Sequence, residues 1–471
     1  MEQQARSRIV YHRSVPSFYV ENFGCRATQA DGAALEQQLR EHGLARADSP
    51  SGAKLVVLNT CTVTAAADQD ARAAIRRIRR QNPGCEIVVT GCYAQRAPQE
   101  VAALPGVSRV IGNSHKHELA KIALGRFEDS RPLSAGFVPL PQLVKAQAEH
   151  TSGIFVSDIF AHTELLAAPV FDAAGQRTRP NLKVQDGCDN RCSFCVIPSV
   201  RGHSRSLPLE RVLGELNTLV EAGYREVVIS GINLGRWGRD LAGKPRFADL
   251  MRAILAQTEL EKLRVSSVEP MDWSDELIAI MAGSARIARH AHVPMQSGSD
   301  GVLRRMHRKY RPWHYRERIH KIRTAIPDAA IGADVMVGFP GETDAEFEET
   351  RRAVEYLPFT YLHVFTYSPR PGTPAAAMEA QVTAQAAQER NRILRELAAS
   401  KKLAFMHGFI GKTVAAITLN PQTGKAGQPA FTEALTDNYL KLHLTGEHTP
   451  NRWIGARVEA VQEGALLGIP A

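Results

Sequence analysis

Seven cysteines set the first constraint on what this chain can become. Cys25, Cys61, Cys85 and Cys92 lie near the N-terminus, Cys188, Cys192 and Cys195 stand close together, and the long remainder of the chain has none. The number is odd, and the basic N-terminal residues have no apolar run behind them, so neither a disulfide framework nor a secretory signal is expected. Such clustering argues for two metal sites rather than seven scattered core thiols. The pattern Cys188-x3-Cys192-x2-Cys195 lets three thiolates wrap one face of a cubane iron–sulfur cluster, leaving one iron without a protein ligand. An open iron is a position where a substrate coordinates and receives an electron. Zinc is the competing reading. Structural zinc wants four ligands, and His203 is the obvious nearby fourth.

The chain has 471 residues, of which 44% are hydrophobic and 23% charged. This is a globular composition long enough for about three domains. No apolar run approaches the length of a membrane span, so a soluble, cytoplasmic protein is expected. The formal charge of +9 makes an acidic partner plausible, and its distribution sharpens that. Between Gly301 and Arg323 nine Lys or Arg face one acid, Glu317, with Tyr310, Trp313 and Tyr315 interleaved. That mixture suits phosphate contacts with base stacking; an amphipathic helix with a solvated basic face accounts for it equally.

Hydrophobic patterning divides the chain into three structured parts and a connector. Residues 16–128 alternate strand-like runs (18–23, 55–59, 86–90, 108–112) with helical segments near 30–42, 65–81 and 115–124, which predicts a parallel α/β domain. Ligands of such sheets bind beyond the carboxyl ends of the strands. Cys25, Cys61 and Cys92 each follow a strand and should emerge at that edge. Cys85 precedes its strand and reads as a structural thiol at the other end. The pattern loosens through a connector, 129–173, and the run 166–180, with Gly175 among polar residues, reads as a hairpin or linker.

From 174 to 402 a strand-then-helix unit recurs about six times, with strands at 182–187, 226–231, 263–269, 289–295, 331–339 and 361–367, which predicts a partial (β/α) barrel. Thr343 and Glu346 form a capping box opening one of its helices. Cys188, Asn233, Glu269, Gln296 and Phe339 close predicted strands and should ring one mouth. Short strand-like runs separated by turns then predict a small all-β barrel over 403–471. With six Lys or Arg against five acids from Lys402 onward, its charge alone does not mark it as an RNA-binding module.

The Cys188–Cys195 motif, with an aromatic residue before its last cysteine, resembles that of radical S-adenosylmethionine enzymes. Further stretches resemble one branch of them, the methylthiotransferases: 22–25 (NFGC), 59–61 (NTC), 91–95 (GCYAQ), 184–188 (VQDGC), 293–299 (VPMQSGS) and 337–343 (VGFPGET). The resemblance covers nearly the whole chain and implies an N-terminal methylthiotransferase domain, a (β/α)6 radical core and a C-terminal TRAM barrel. It implies two 4Fe–4S clusters, one held by Cys188, Cys192 and Cys195 and an auxiliary one by Cys25, Cys61 and Cys92. In the implied mechanism, S-adenosylmethionine binds the open iron and one electron cleaves it to a 5′-deoxyadenosyl radical, which abstracts hydrogen from an unactivated C–H bond. The auxiliary cluster supplies or carries the sulfur, and a second S-adenosylmethionine donates the methyl group.

The stretches 184–189, 231–235 and 156–164 are most similar to the members that act on N6-threonylcarbamoyladenosine beside a tRNA anticodon. Other members act on N6-isopentenyladenosine or on a ribosomal-protein aspartate, and a non-catalytic iron–sulfur RNA-binding protein is the remaining alternative. The implied partners are tRNA and an electron donor such as a flavodoxin-type reductant, with neither membrane nor DNA. Phe194 is expected to pack near the adenine of the cofactor. Asn233, Ser267, Glu269, Gln296 and Ser297 are candidates for touching it, and Arg308 and Lys309 for its carboxylate or an RNA phosphate. Gly338 and Gly341, flanking Pro340, form a turn too common to read as a phosphate loop. The resemblance departs at one position, where the family's usual Asn, three residues after the first auxiliary cysteine, is Thr28.

Overall fold

The computed structural model describes residues 16–129, 153–162, 165, 179–422 and 430–471. The expected hairpin or linker at 166–180 lies outside them except for its last two residues. Among the described residues no helix is long and apolar enough to cross a membrane.

The first layer is a six-stranded sheet built from β1 (Ser17–Asn22), β2 (Ala45–Arg46), β3 (Leu55–Thr60), β4 (Glu86–Gly91), β5 (Val107–Ile111) and β6 (Ile154–Phe155). Its order is β2-β1-β3-β4-β5-β6 with every pair parallel. β3 is buried along its whole length, because helices cover both faces of such a sheet and its central strands carry unbroken apolar runs. Two strands escaped the sequence pattern. β2 is two exposed residues, and β6 belongs to the segment expected to be connector. Cys85 is buried with Ala53 and Ile78 at the amino end of β4, in the core as expected.

The second part is an open barrel. β7 (Asn181–Asp186), β9 (Glu226–Gly231) and β10 (Lys262–Val265) run parallel, and so do β11 (His290–His292), β12 (Ala330–Val337) and β13 (Tyr361–Thr366). Single parallel bridges, Leu263 to Ile287 and Ser267 to His292, join the two groups into one six-stranded wall. A short antiparallel strand, β8 (Arg205–Ser206), closes the β7 side. The capping box at Thr343 and Glu346 opens the helix Asp344–Tyr356 as predicted. The third part is a closed five-stranded barrel: β14 (Thr413–Gln422), β15 (Phe431–Thr436), β16 (Lys441–Thr445), β17 (Trp453–Gln462) and β18 (Ala465–Pro470). The helix Ala384–His407 leads into it from the open barrel.

A buried charge network clamps the first part onto the second. Asp31, on the helix Arg26–Glu41, accepts from Lys116 at 3.0 Å, from Arg201 at 3.0 Å and from Lys183 of β7. Asp186 closes the circuit through Lys183 at 2.8 Å and Arg201 at 2.9 Å. Burial alone would raise the Asp31 carboxyl, but Lys116, Lys183 and Arg201 together hold it well below the usual carboxylate range. Asp186 is likewise held low against burial, by Arg201 and Lys183.

The aromatic-laced basic stretch is not the stacking platform its composition allowed. Tyr310 and Tyr315 are core residues, their hydroxyls donating to the carbonyls of Met295 (2.7 Å) and Val293 (2.7 Å). Only Trp313 of the three is exposed. Much of the local charge is spent on ion pairs: Arg304 and Arg311 with Asp300, Arg305 with Glu346, Arg318 and Lys321 with Asp275. The amphipathic-helix reading holds here, because a helix packed against strands must bury one side.

Removing Asp31 leaves three cations buried around an emptied site, so Asp31→Ala should destabilise the chain by about 3–5 kcal/mol, read from denaturant unfolding. Both carboxylates have depressed folded pKa values. Their stabilisation is therefore complete above the unfolded value of ~3.9 and lost progressively as pH falls below it. The wild-type thermal midpoint should drop in that acid range, and the drop should be shallower in Asp31→Asn.

Candidate active site

Loops at the carboxyl ends of the strands carry both cysteine groups to facing edges. Cys25, Cys61 and Cys92 follow β1, β3 and β4 directly, as the pattern required. Gly24, at φ +103°, sits so close to Cys61 that a Cβ there would lie 2.6 Å from the Cys61 Cβ. The Cys61 thiol is pushed up to about 11, first by burial and then by the neighbouring Cys92 and, more weakly, Cys25. Those mutual effects mark one site. The Thr28 hydroxyl lies 3.6 Å from the Cys25 sulfur, so this departure from the family pattern still places a polar hydrogen beside a ligand candidate. Asn113 reaches Cys92 at 3.6 Å, a contact the sequence gave no reason to expect.

The second group follows β7. Gly187, at φ +70°, turns the chain so tightly before Cys188 that a Cβ would sit 1.9 Å from the His203 carbonyl oxygen. Burial, followed by proximity to Cys192 and Cys188, pushes the Cys195 thiol up to about 12. Burial also raises Cys188. Asn233 donates toward the Cys188 sulfur at 3.6 Å, and Arg308 toward the Cys192 sulfur at 3.3 Å. Arg308 is also bonded to Glu269, and despite its burial Tyr310, Glu269 and Cys192 hold it well above its ordinary value.

Zinc and a cubane cluster ask for different spacings of their ligand atoms. A tetrahedral zinc holds its sulfurs about 2.3 Å from the metal, hence within ~4 Å of one another. Among the described residues, the only set of three His, Cys, Asp or Glu with ligand atoms mutually within 4.8 Å is His292, Asp334 and His363. Neither cysteine triad belongs to such a set. His203 is turned away, exposed and 2.8 Å from Asp189.

Beside Cys25 lies a cavity of about 670 Å³, lined by Arg26, Asn233, Ser267, Glu269 and Gln296 among others. Asn233 also reaches the Cys188 sulfur, and Glu269 bonds the Arg308 that reaches Cys192. Four of the expected cofactor contacts thus share one space. Gln296 is held at φ +62°, a left-handed conformation rare for its type, and its side-chain oxygen is buried without a partner. The Asn233 side-chain oxygen is likewise unpaired. Ser267 bonds His292, whose other nitrogen is 3.4 Å from Asp334. Ser297, Phe339, Phe194 and Arg308 do not line this cavity. Ser297 points into the packing, its hydroxyl 3.0 Å from that of Thr350. Phe339 is fully buried, and Phe194 meets it edge-on with centroids 6.4 Å apart. Sequence reasoning missed Arg26, His292, Asp334 and His363; Arg26 and His292 lie near strand ends, whereas Asp334 and His363 sit inside β12 and β13.

Comparison with known proteins defines the class first. Residues 17–112 match an uncharacterized protein family, UPF0004, and residues 182–354 match the radical SAM superfamily. The fold is similar to that of the radical S-adenosylmethionine methyltransferase TsrM from Kitasatospora setae, with a TM-score of 0.56 at 16% identity over 77% of this chain and 75% of that one. The threonylcarbamoyladenosine tRNA methylthiotransferase MtaB of Bacillus subtilis is 38% identical over 90% of this chain and 89% of its own length. The tRNA-2-methylthio-N(6)-dimethylallyladenosine synthase of Erythrobacter litoralis is 34% identical over 88% of each. The chain belongs to the radical S-adenosylmethionine methylthiotransferase family.

If each triad holds one cluster, Cys188→Ala and Cys61→Ala should each halve the iron bound after anaerobic reconstitution, and the double variant should bind almost none. Cys85→Ser should leave iron unchanged.

Proposed function

We propose that this protein adds a methylthio group to carbon 2 of N6-threonylcarbamoyladenosine beside the anticodon of tRNA. The observation that carries this reading is the cavity lined by Cys25 together with Asn233 and Glu269, which reach the Cys188 sulfur directly and the Cys192 sulfur through Arg308, respectively. A base held there lies near both a sulfur source and a radical source. The donor sets fit two 4Fe–4S clusters, Cys188, Cys192 and Cys195 holding one and Cys25, Cys61 and Cys92 the other. With S-adenosylmethionine bound, they supply radical removal of hydrogen from an unreactive carbon, together with sulfur and methyl transfer.

The chain's own residues bind, orient and exclude water. Asn233 and Arg308 donate toward the sulfurs of Cys188 and Cys192, a kind of hydrogen bonding that sets cluster potential. Glu269 and the unpaired oxygens of Asn233 and Gln296 accept from the amino and hydroxyl groups of S-adenosylmethionine. Ser267, His292 and Asp334 form a polar chain along the wall that orients the base. Phe194, braced edge-on by Phe339, packs near the adenine of S-adenosylmethionine. Four units divide the work: 16–128 carries the auxiliary site, 129–173 connects, 174–402 is the radical core and 403–471 the TRAM barrel. A flavodoxin-type reductant in the cytoplasm supplies the electron.

The test is mass spectrometry of tRNA nucleosides from a host lacking the gene, before and after its return. Loss and recovery of 2-methylthio-N6-threonylcarbamoyladenosine, with the unthiolated precursor accumulating in between, is expected. Loss of the isopentenyl analogue instead would move the substrate, and an unchanged tRNA profile would sink the reading. Binding of tRNA should weaken steeply with salt, since phosphate contacts dominate such affinity.

A further inference from the structure

We infer that Arg26, steadied by Tyr439, is the subsite for the carboxylate of the substrate's threonylcarbamoyl arm, an inference that rests on the function proposed above. The cavity beside Cys25 has two arginines in its lining, Arg26 and Arg264. Arg264 is already neutralised, 2.6 Å from Glu226. The nearby Arg179 also faces Glu226, at 3.6 Å, and Arg308 is paired with Glu269. Among the described residues no carboxylate pairs with Arg26. Its guanidinium donates to the Tyr439 hydroxyl at 3.2 Å. Of the cavity histidines, burial chiefly holds His290 well below its ordinary value and lowers His363 as well, while His292 already faces the Asp334 carboxylate at 3.4 Å. Arg26 is therefore the positive charge left for a ligand, and a half-buried guanidinium is best satisfied by a planar anion that meets it bidentately.

Tyr439 shows that this arrangement is enforced. It stands at φ +69°, a conformation costly for a bulky side chain, in the turn between β15 and β16. That turn pushes the ring out of the small barrel against His290 and Tyr361, with centroids 4.8 and 6.1 Å away. Local strain persists where the surroundings demand it, and here it brings an aromatic hydroxyl to Arg26.

Position selects the ligand. Arg26 directly follows Cys25, so its charge is tethered beside the triad assigned to the sulfur source. In the substrate base the carbon that takes sulfur and the carbon that bears the threonylcarbamoyl arm are separated by one ring nitrogen. A base presenting the first to the auxiliary site therefore carries the arm, and its carboxylate, past the residue next to Cys25. An isopentenyl arm offers no acceptor and leaves the guanidinium unpaired, a penalty that binding sites convert into discrimination.

The experiment uses the reconstituted full-length enzyme and an anticodon stem-loop carrying the free acid or its methyl ester. The wild type should favour the acid in kcat/KM by on the order of tenfold or more, mostly through KM. Arg26→Met should erase that preference, and Arg26→Lys should restore part of it. A wild type that treats acid and ester alike overturns the inference without any variant. So does Arg26→Met weakening both RNAs equally, which would assign the residue to phosphate, or raising the KM of S-adenosylmethionine, which would assign it to the cofactor. A wild type that modifies neither RNA refutes the proposed function instead.

Discussion

Everything in the active site depends on one buried charge cluster, Asp31 and Asp186 against Lys116, Lys183 and Arg201. Its members come from the helix behind Cys25, the segment after β5, the strand before Cys188 and the helix after Cys195. Each ion would be expensive to bury alone; together they are tolerated only in the docked geometry. The network thus acts as a registration device, because Asp31 on the sheet side must meet Lys183 and Arg201 on the barrel side. It also leaves one positive charge in excess beside Cys25 and Cys92, whose thiolates favour the charged form of Arg201. A second, smaller tie sits nearby, where Asp68 of the first part holds Arg370 of the barrel and Arg96 of its own sheet.

With that docking in place, the cavity is a product of three parts of the chain. The parallel sheet contributes Cys25 and Arg26, the open barrel its strand ends, and the small barrel Tyr439. The two bulky or long residues held in left-handed conformations at this cavity, Gln296 and Tyr439, come from different parts. Strain at the meeting point, with regular elements behind it, is the usual distribution in a functional site.

The elements that read clearly in the sequence were those whose burial produces a strong local pattern. β3, β4, β9 and β12 carry apolar runs because both faces are covered, and the helix Asp344–Tyr356 announces itself by its cap. β2, β6 and β8, of two residues each, have no period to detect. The stretch from Gly301 to Arg323 misled through composition: tyrosines beside arginines look the same whether the ring faces a base or the core, and only packing separates the two.

The sequence by itself determined the chemistry. The spacing of Cys188, Cys192 and Cys195 and the placement of Cys25, Cys61 and Cys92 after three parallel strands are local properties, since strand direction dictates the edge at which a following residue emerges. Tertiary structure alone decided which other side chains share that space. Arg26, His292, Asp334, His363 and Tyr439 are far apart along the chain and unremarkable in their local patterns. They meet because buried charges fix one docking angle between sheet and barrel, and because a strained turn carries Tyr439 across the gap. Local periodicity encodes neither, since both arise from contacts between segments that have already folded.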